Sequence, residues 1–345
     1  MRHAVCEAKD LVKAFGPTRV LRGIDLALHA GEVTVLMGAN GAGKSTLVKI
    51  LCGVHRADGG QVTLEGRPFA PDSPAEAMRA GVSTVHQTIN DGVIPDLDLA
   101  SNLLLDRLAE PGARLWLRGR RMREAARRIA EAMDLRVDVS RPVRDLGLAD
   151  RQLIAIARAM TRDPKVLILD EPTSSLSTSE ANRLFALLDK VRERGVAVLY
   201  ISHRMSDIRR IADRIVSMRD GRVTGVFEDR PLDTEGAVTA MLGHAMTDLG
   251  LAIPAPGEVL LRGRRLQLWP EAAPFDLELR RGEVVAMVGL VGSGKARLAG
   301  ALFGLTPPHG GALTLDEAAY APRDPAGAIR AGAFLCPRDR GSNGV

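Results

Sequence analysis

The chain has few aromatic residues, 3% of 345, so its core must be aliphatic. Cysteine is scarce as well. Cys6, Cys52 and Cys336 lie far apart, without the spacing of a metal site or a disulfide framework, and reduced thiols in a cytosolic protein are expected. Long apolar runs are missing. Nothing approaches the roughly 20 residues of a membrane span, and the stretch from Met1 to Asp10 lacks the apolar segment of a secretion signal. Any membrane role must therefore run through a partner. No charge of one sign dominates either. A net charge of +5 is mild for this length and does not demand nucleic acid. What remains is 46% hydrophobic and 26% charged, the balance of a soluble globular protein with one large domain or two ordinary ones.

Glycine, in contrast, is plentiful and placed with purpose. Gly38-Ala39-Asn40-Gly41-Ala42-Gly43-Lys44-Ser45-Thr46 fits G-x-x-x-x-G-K-[ST], a phosphate-binding loop. Glycines let successive backbone N–H groups turn toward phosphate oxygens, and the helix that follows adds its positive end. Lys44 brings a point charge to the β- and γ-phosphates, and the Ser45 hydroxyl suits Mg²⁺. The flanks agree: Val33 to Met37 reads as a buried strand, and Leu47, Ile50 and Leu51 have helical spacing. Gly38, Asn40, Gly41, Gly43, Lys44, Ser45 and Thr46 are the candidate nucleotide contacts.

Around this loop the chain reads as alternating strands and helices. Leu11 to Leu28 alternates like short strands turning at Gly16-Pro17, and Phe15 there is either a core residue or an adenine-stacking ring. Asp58-Gly59-Gly60 reads as a turn, Gln61 to Gly66 as a strand, Pro74 to Ala80 as a short helix, and Val82 to His86 as a strand ending at Gln87. Residues 93 to 145 carry helical periodicity and many arginines, which predicts an inserted helical subdomain, about 93–162. Its basic run, Arg118 to Arg128, fits a solvated helix face better than a nucleic-acid surface. Lys165 to Glu171 is an apolar strand ending in two carboxylates. Asp170 suits Mg²⁺ through its water shell, and Glu171 suits the attacking water. After a helix from about Ser179 to Glu193, the strand Val196 to Ile201 ends at Ser202-His203, where a histidine can sense a terminal phosphate. A hairpin turning at Asp220-Gly221, a helix over 233–243 and a linker over 245–257 follow.

Past the linker the pattern returns at an offset of 251 residues: Gly31 recurs as Gly282, Lys44 as Lys295, and Ala80-Gly81 as Ala331-Gly332. The copy is altered. Ala296 replaces Ser45, and Arg338 replaces Gln87. The chain stops at Val345, ahead of any counterpart of Asp170, Glu171 or His203. Residues 258–345 are thus expected to be a partial second copy, marginal alone, with apolar faces and strand edges uncovered. They are expected to pack on the first domain or be disordered at the end.

Residues 4–244 resemble an ATP-binding cassette (ABC) ATPase. Gly38 to Thr46 is similar to the Walker A loop, Gln87 ends the Q-loop strand, and Leu146 to Gln152 occupies the place of the signature. Val166 to Glu171 matches Walker B, Ser174-Ser175-Leu176-Ser177 the D-loop, and His203 the switch histidine. Asp170-Glu171-Pro172-Thr173 and Ile201-Ser202-His203-Arg204 are especially specific phrases. Narrower likeness, to ATPase subunits of bacterial importers of the ribose, galactose and xylose type, comes from Gly81 to Gln87, Arg151 to Ala159 and Gly289 to Gly294.

The resemblance implies an α/β P-loop cassette with an antiparallel β subdomain and an inserted helical subdomain, followed by an incomplete second copy. It implies ATP and Mg²⁺ as ligands, with Phe15, Gly147 and Lys295 joining the nucleotide contacts. Glu171, His203 and Gln87 are the implied catalytic residues, and Ser45, Gln87 and Asp170 the metal ligands. The implied partners are an integral-membrane permease, a periplasmic sugar-binding protein reached through it, and a second cassette, from another copy or a complementing subunit. No nucleic acid is expected. The implied place is the cytoplasmic face of the inner membrane. Two departures stand out. Gly147 replaces the signature serine, and Asp150 replaces a glutamine, adding negative charge beside an anionic ligand. The chain is also shorter than such proteins, so a C-terminal truncation is expected. The competing readings are a soluble tandem cassette acting on ribosomes or nucleic acid, and a nucleotide-binding remnant without transport.

Overall fold

The computed structural model describes residues 3–85, 92–108, 119–133, 135, 137–174, 176–244, 255–290 and 292–336. Gln87, Ser175, Val291 and Arg338 thus lie outside the described residues, as do Arg118 at the head of the basic run and most of the expected linker. The chain divides into two compact units, Met1–Thr247 and Asp248–Val345.

The first unit opens with β1 (Ala4–Phe15), β2 (Thr18–His29), β3 (Val33–Gly38), α1 (Lys44–Leu51), β4 (Gly59–Leu64), β5 (Arg67–Pro68), α2 (Pro74–Ala80) and β6 (Val82–Val85). Then come α3 (Leu99–Leu108), α4 (Gly119–Ala132), a 3-10 turn (Val143–Asp145), α5 (Leu148–Met160), β7 (Val166–Asp170) and α6 (Thr178–Glu193). It closes with β8 (Ala197–Ile201), α7 (Met205–Ile211), β9 (Arg214–Arg219), β10 (Arg222–Phe227) and α8 (Thr234–Leu242). β1 and β2 are long strands of 12 residues each, with several bulges, where short strands were expected. Gly59 and Gly60 open β4 instead of forming a turn. A Cβ at Gly60 would stand 2.2 Å from the Asp10 carbonyl, so β1 and β4 meet at a spacing only glycine permits.

Two sheets form. One runs β2-β1-β4-β5 and is antiparallel. The other runs β10-β9-β3-β8-β7-β6, parallel except at the β10 edge. Every residue of β3 and β8 is buried, as expected of central parallel strands covered on both faces. Alternation along β3 divides the core. Val33, Val35 and Met37 face the cluster that includes α3, α4, α5 and α6, whereas Leu36 faces the cluster shared with α1 and the antiparallel sheet. The helices between β6 and β7 therefore share a core with the sheet. Caps set several boundaries. Ser73 accepts from the Glu76 N–H at the start of α2, and Ser177 with Glu180 forms a capping box on α6.

The second unit contains β11 (Val259–Gln267), β12 (Phe275–Arg280), α9 (Lys295–Leu302), β13 (Gly310–Leu315), β14 (Ala318–Ala319) and α10 (Pro325–Arg330). Its sheet, β12-β11-β13-β14, repeats the order and antiparallel pairing of β2-β1-β4-β5. The likeness is interrupted at residues 284–289, the counterpart of β3. No strand forms there, and no parallel ladder exists among the described residues of this unit. Val284 and Val288 are 97% and 91% exposed, where their counterparts Val33 and Met37 are 0% and 1%. β3 draws its backbone partners from β8 and β9 on either side, and no described strand plays those parts here. No helix among the described residues is long and apolar enough to cross a membrane.

Candidate nucleotide site

Strand register brings the candidate residues together. Leu36 of β3 pairs with Ile201 of β8, and Ile201 pairs with Asp170 of β7, so the three stand in one row across parallel strands. Gly38 lies two residues past that row, Glu171 one, and His203 two. With about 4.8 Å between neighbouring strands, the loop after β3 and the carboxylates after β7 are roughly 10 Å apart, with β8 between them. This is the carboxyl end of a parallel sheet, where open α/β folds place their ligands.

The loop has the form its sequence requires. Gly43 caps α1 at φ 102, and a Cβ there would lie 2.7 Å from the Leu21 side chain, so no other residue fits without strain. No side chain caps α1, which leaves its first-turn N–H groups to face a ligand. Asn40, Gly41 and Ser45 are exposed, and Thr46 is half-buried. The Lys44 ammonium donates to the carbonyls of Gly38 at 2.6 Å and Ala39 at 3.0 Å. Burial holds its pKa below the usual lysine range, against the upward pull of Glu171 and Asp170. That pull puts both carboxylates within electrostatic reach of Lys44. Asp170 also acts on Cys52, whose thiol is pushed up to about 11 mainly by burial and sits 2.7 Å from the Thr84 hydroxyl.

Glu171 and His203 meet directly, with His203 Nδ1 3.0 Å from Glu171 Oε1. The Glu171 N–H donates to the Ile201 carbonyl at 3.0 Å, tying the acidic turn to β8. Ser45 and Asp170 together offer hard oxygen donors. That sparse set fits Mg²⁺, which keeps waters and phosphate oxygens in its other positions. Among the described residues no cluster of three or more His, Cys, Asp or Glu forms an all-protein metal cage.

Phe15 sits at the tip of the β1–β2 hairpin, paired with Thr18 in register. Its ring is 45% exposed, edge-on to His55 at 5.2 Å, with the Lys13 ammonium 5.4 Å from its centre. Val20, two residues past Thr18, has its carbonyl 3.2 Å from where a Gly43 Cβ would stand, so the hairpin runs beside the phosphate loop. Gly147 is the N-cap of α5 and provides no side-chain cap. Asp150 is paired with Arg183 of α6 at 2.9 Å, so its added negative charge is largely compensated. In the second unit the Lys295 ammonium donates to the Gly289 carbonyl, and Gly294 caps α9 at φ 92.

Several residues of this region escape sequence reasoning. Asp213 accepts from the Val33 N–H at 3.0 Å and pairs with Arg192 and Arg230, pinning the start of β3. Its only sequence signal is an acid preceding a strand. Arg183 and Asp207 gave none.

A family model described as ABC transporter matches residues 21–174 and 272–337. The chain is 40% identical over 346 aligned positions to ribose import ATP-binding protein RbsA 2 of Rubrobacter xylanophilus, covering 99% of this chain and 66% of that protein. It is 41% identical over 338 positions to arabinose import ATP-binding protein AraG of Burkholderia pseudomallei, covering 97% of this chain and 66% of that protein. The chain thus spans about two thirds of the length of these relatives. Among solved structures, the ADP conformation of an ATP-binding cassette of an ABC transporter matches with a TM-score of 0.61 at 25% identity. It covers 70% of this chain and 100% of that one.

Proposed function

The chain belongs to the ABC transporter family, and on that premise we propose that it binds Mg-ATP at the Gly38–Thr46 loop and hydrolyses it to energise monosaccharide import through a membrane permease. The observation that carries this reading is the row of Leu36, Ile201 and Asp170, which gathers loop, carboxylates and histidine at the carboxyl end of the parallel strands. The relatives named for ribose and arabinose import support the substrate class.

Each residue then has a part. The N–H groups of the loop from Gly38 to Gly43 and the Lys44 ammonium hold the phosphates. Ser45 and Asp170 would hold Mg²⁺, which would supply positive charge against the phosphates. Gln87 completes this set by resemblance. Glu171 orients the attacking water and accepts its proton, and His203 links Glu171 to the terminal phosphate. Phe15 stacks on the adenine. The helices over about 93–162 serve as the family's helical subdomain. Gly147, at the start of α5, faces the nucleotide of a partner cassette, where backbone N–H groups replace the missing serine hydroxyl. The Lys295 loop is a second, weaker nucleotide contact. The partner cassette is another copy or a complementing subunit. Closure around ATP drives the permease, since ATP binds the closed pair more tightly than the open one. The chain works at the cytoplasmic face of the membrane and is held there by the permease, which passes on sugar from a periplasmic binding protein.

Steady-state hydrolysis by wild type and Glu171→Gln tests this reading. Loss of the base should lower kcat by about 10²–10⁴ while Mg-ATP still binds. Equal rates in the two proteins would refute it.

A further inference from the structure

Glu171 stands at φ 47, in the left-handed region where a residue with a Cβ is strained. Surrounding structure must hold it there. The Ser174 N–H closes the turn onto the Glu171 carbonyl at 3.2 Å. Between them lies Thr173, whose hydroxyl donates to Asp207 Oδ2. The Tyr200 hydroxyl donates to the same oxygen at 3.1 Å, and the Ser206 hydroxyl donates to Oδ1 at 3.1 Å. Arg204, the neighbour of His203, donates to the Thr173 carbonyl at 2.6 Å and places its Nε 3.8 Å from Asp207 Oδ1.

Thr173, Tyr200 and Asp207 are all buried, and Asp207 is only 2% exposed. A buried carboxylate with several partners is a poor source of stability compared with apolar packing. Its placement is better explained by what it joins. It ties the turn that carries Glu171 to the segment that carries His203, and the far ends of these two segments meet at the 3.0 Å contact.

We infer that Asp207 is a positioning residue for hydrolysis: through Thr173 and Arg204 it fixes the strained Glu171 turn against the His203 segment. The inference rests on the ATPase reading of the site. Asp207 touches neither nucleotide nor metal in this account, so its loss should change turnover and not affinity.

Full-length Asp207→Asn and Thr173→Val are compared with wild type, Thr173→Ser and the double variant. Each of the first two should lower kcat about tenfold or more, as a displaced catalytic group does, with KM for Mg-ATP held within about twofold. Thr173→Ser keeps the hydroxyl and should retain most of kcat. The double variant should fall no further than Asp207→Asn, because the Thr173 hydroxyl acts only through its bond to Asp207. A crystal structure of Asp207→Asn should show His203 Nδ1 and Glu171 Oε1 drawn apart. Undiminished kcat in both single variants, additive losses, or an unchanged Glu171–His203 contact overturns the inference and leaves the ATPase reading standing. A wild-type chain no faster than Glu171→Gln overturns both.

Discussion

Lys44 and Lys295 both reach back to the loop that precedes them, and Gly43 and Gly294 cap the following helices at φ 102 and φ 92. The groove beside each helix is also repeated. Val62, Phe69 and Pro71 line a 430 Å³ cavity, and their counterparts Leu313, Tyr320 and Pro322 line one of 520 Å³. Beyond these features the two units part. Val33–Gly38 is the buried centre of a six-stranded sheet, whereas Glu283–Leu290 is not a strand and bares its valines. The loop's shape therefore follows from about ten residues of sequence, while a site around it needs the neighbouring strands. In the first unit β8 and β7 supply His203, Asp170 and Glu171 to the loop.

The largest effect should come from charging matched positions. Val33→Asp buries a carboxylate in the first core and should cost about 4 kcal/mol or more in urea denaturation. Val284→Asp, at the matching exposed position, should change stability by less than about 0.5 kcal/mol. Equal losses would mean that the second segment is buried after all. Next in size, Ser45→Ala should weaken Mg-ATP binding about tenfold and reduce its dependence on Mg²⁺. Ala296→Ser restores the hydroxyl in a unit with no parallel ladder among its described residues, and should change affinity by less than about twofold, measured by the same titration.

Thiol chemistry sharpens the contrast. Burial pushes Cys6 up to about 12 and Cys52 up to about 11, while Cys336 is exposed. At pH 8 a thiol reagent should modify Cys336 and spare the other two until denaturant is added. Both shifts are upward, so the folded chain keeps protons that the unfolded chain releases. Their stabilising contribution is present below pH 9 and is lost as pH rises through about 11 to 12, which thermal melts across that range would register. A small effect is expected of Arg183→Ala as well. Both partners of the Asp150 pair are partly exposed, so stability should fall by less than about 1 kcal/mol.

Much of the site could be read from sequence because its parts are local. A glycine loop before a helix, an apolar strand ending in Asp170-Glu171, and a strand ending at His203 each announce themselves within ten residues. Their convergence could not be read, since it depends on the row Leu36–Ile201–Asp170, which joins Leu36 to residues more than 130 positions away. The supporting partners were hidden for the same reason. Asp213 binds Val33 across 180 residues, and Arg183 binds Asp150 across 33. The charge of Asp150 seemed a liability in sequence only because its partner could not be seen. Among the described residues no strand flanks Val284 and Val288, so their exposure does not follow from the segment's own apolar character.

The account's central claim is that the first loop, framed by β8 and β7, is the working nucleotide site. Equilibrium titration of Mg-ATP into full-length wild type, Lys44→Ala and Lys295→Ala tests it most directly. Lys44→Ala should bind about tenfold or more weakly, as loss of a charged hydrogen-bonding partner implies, and Lys295→Ala should stay within about twofold of wild type. Unchanged affinity in Lys44→Ala, or a larger loss in Lys295→Ala, would contradict it.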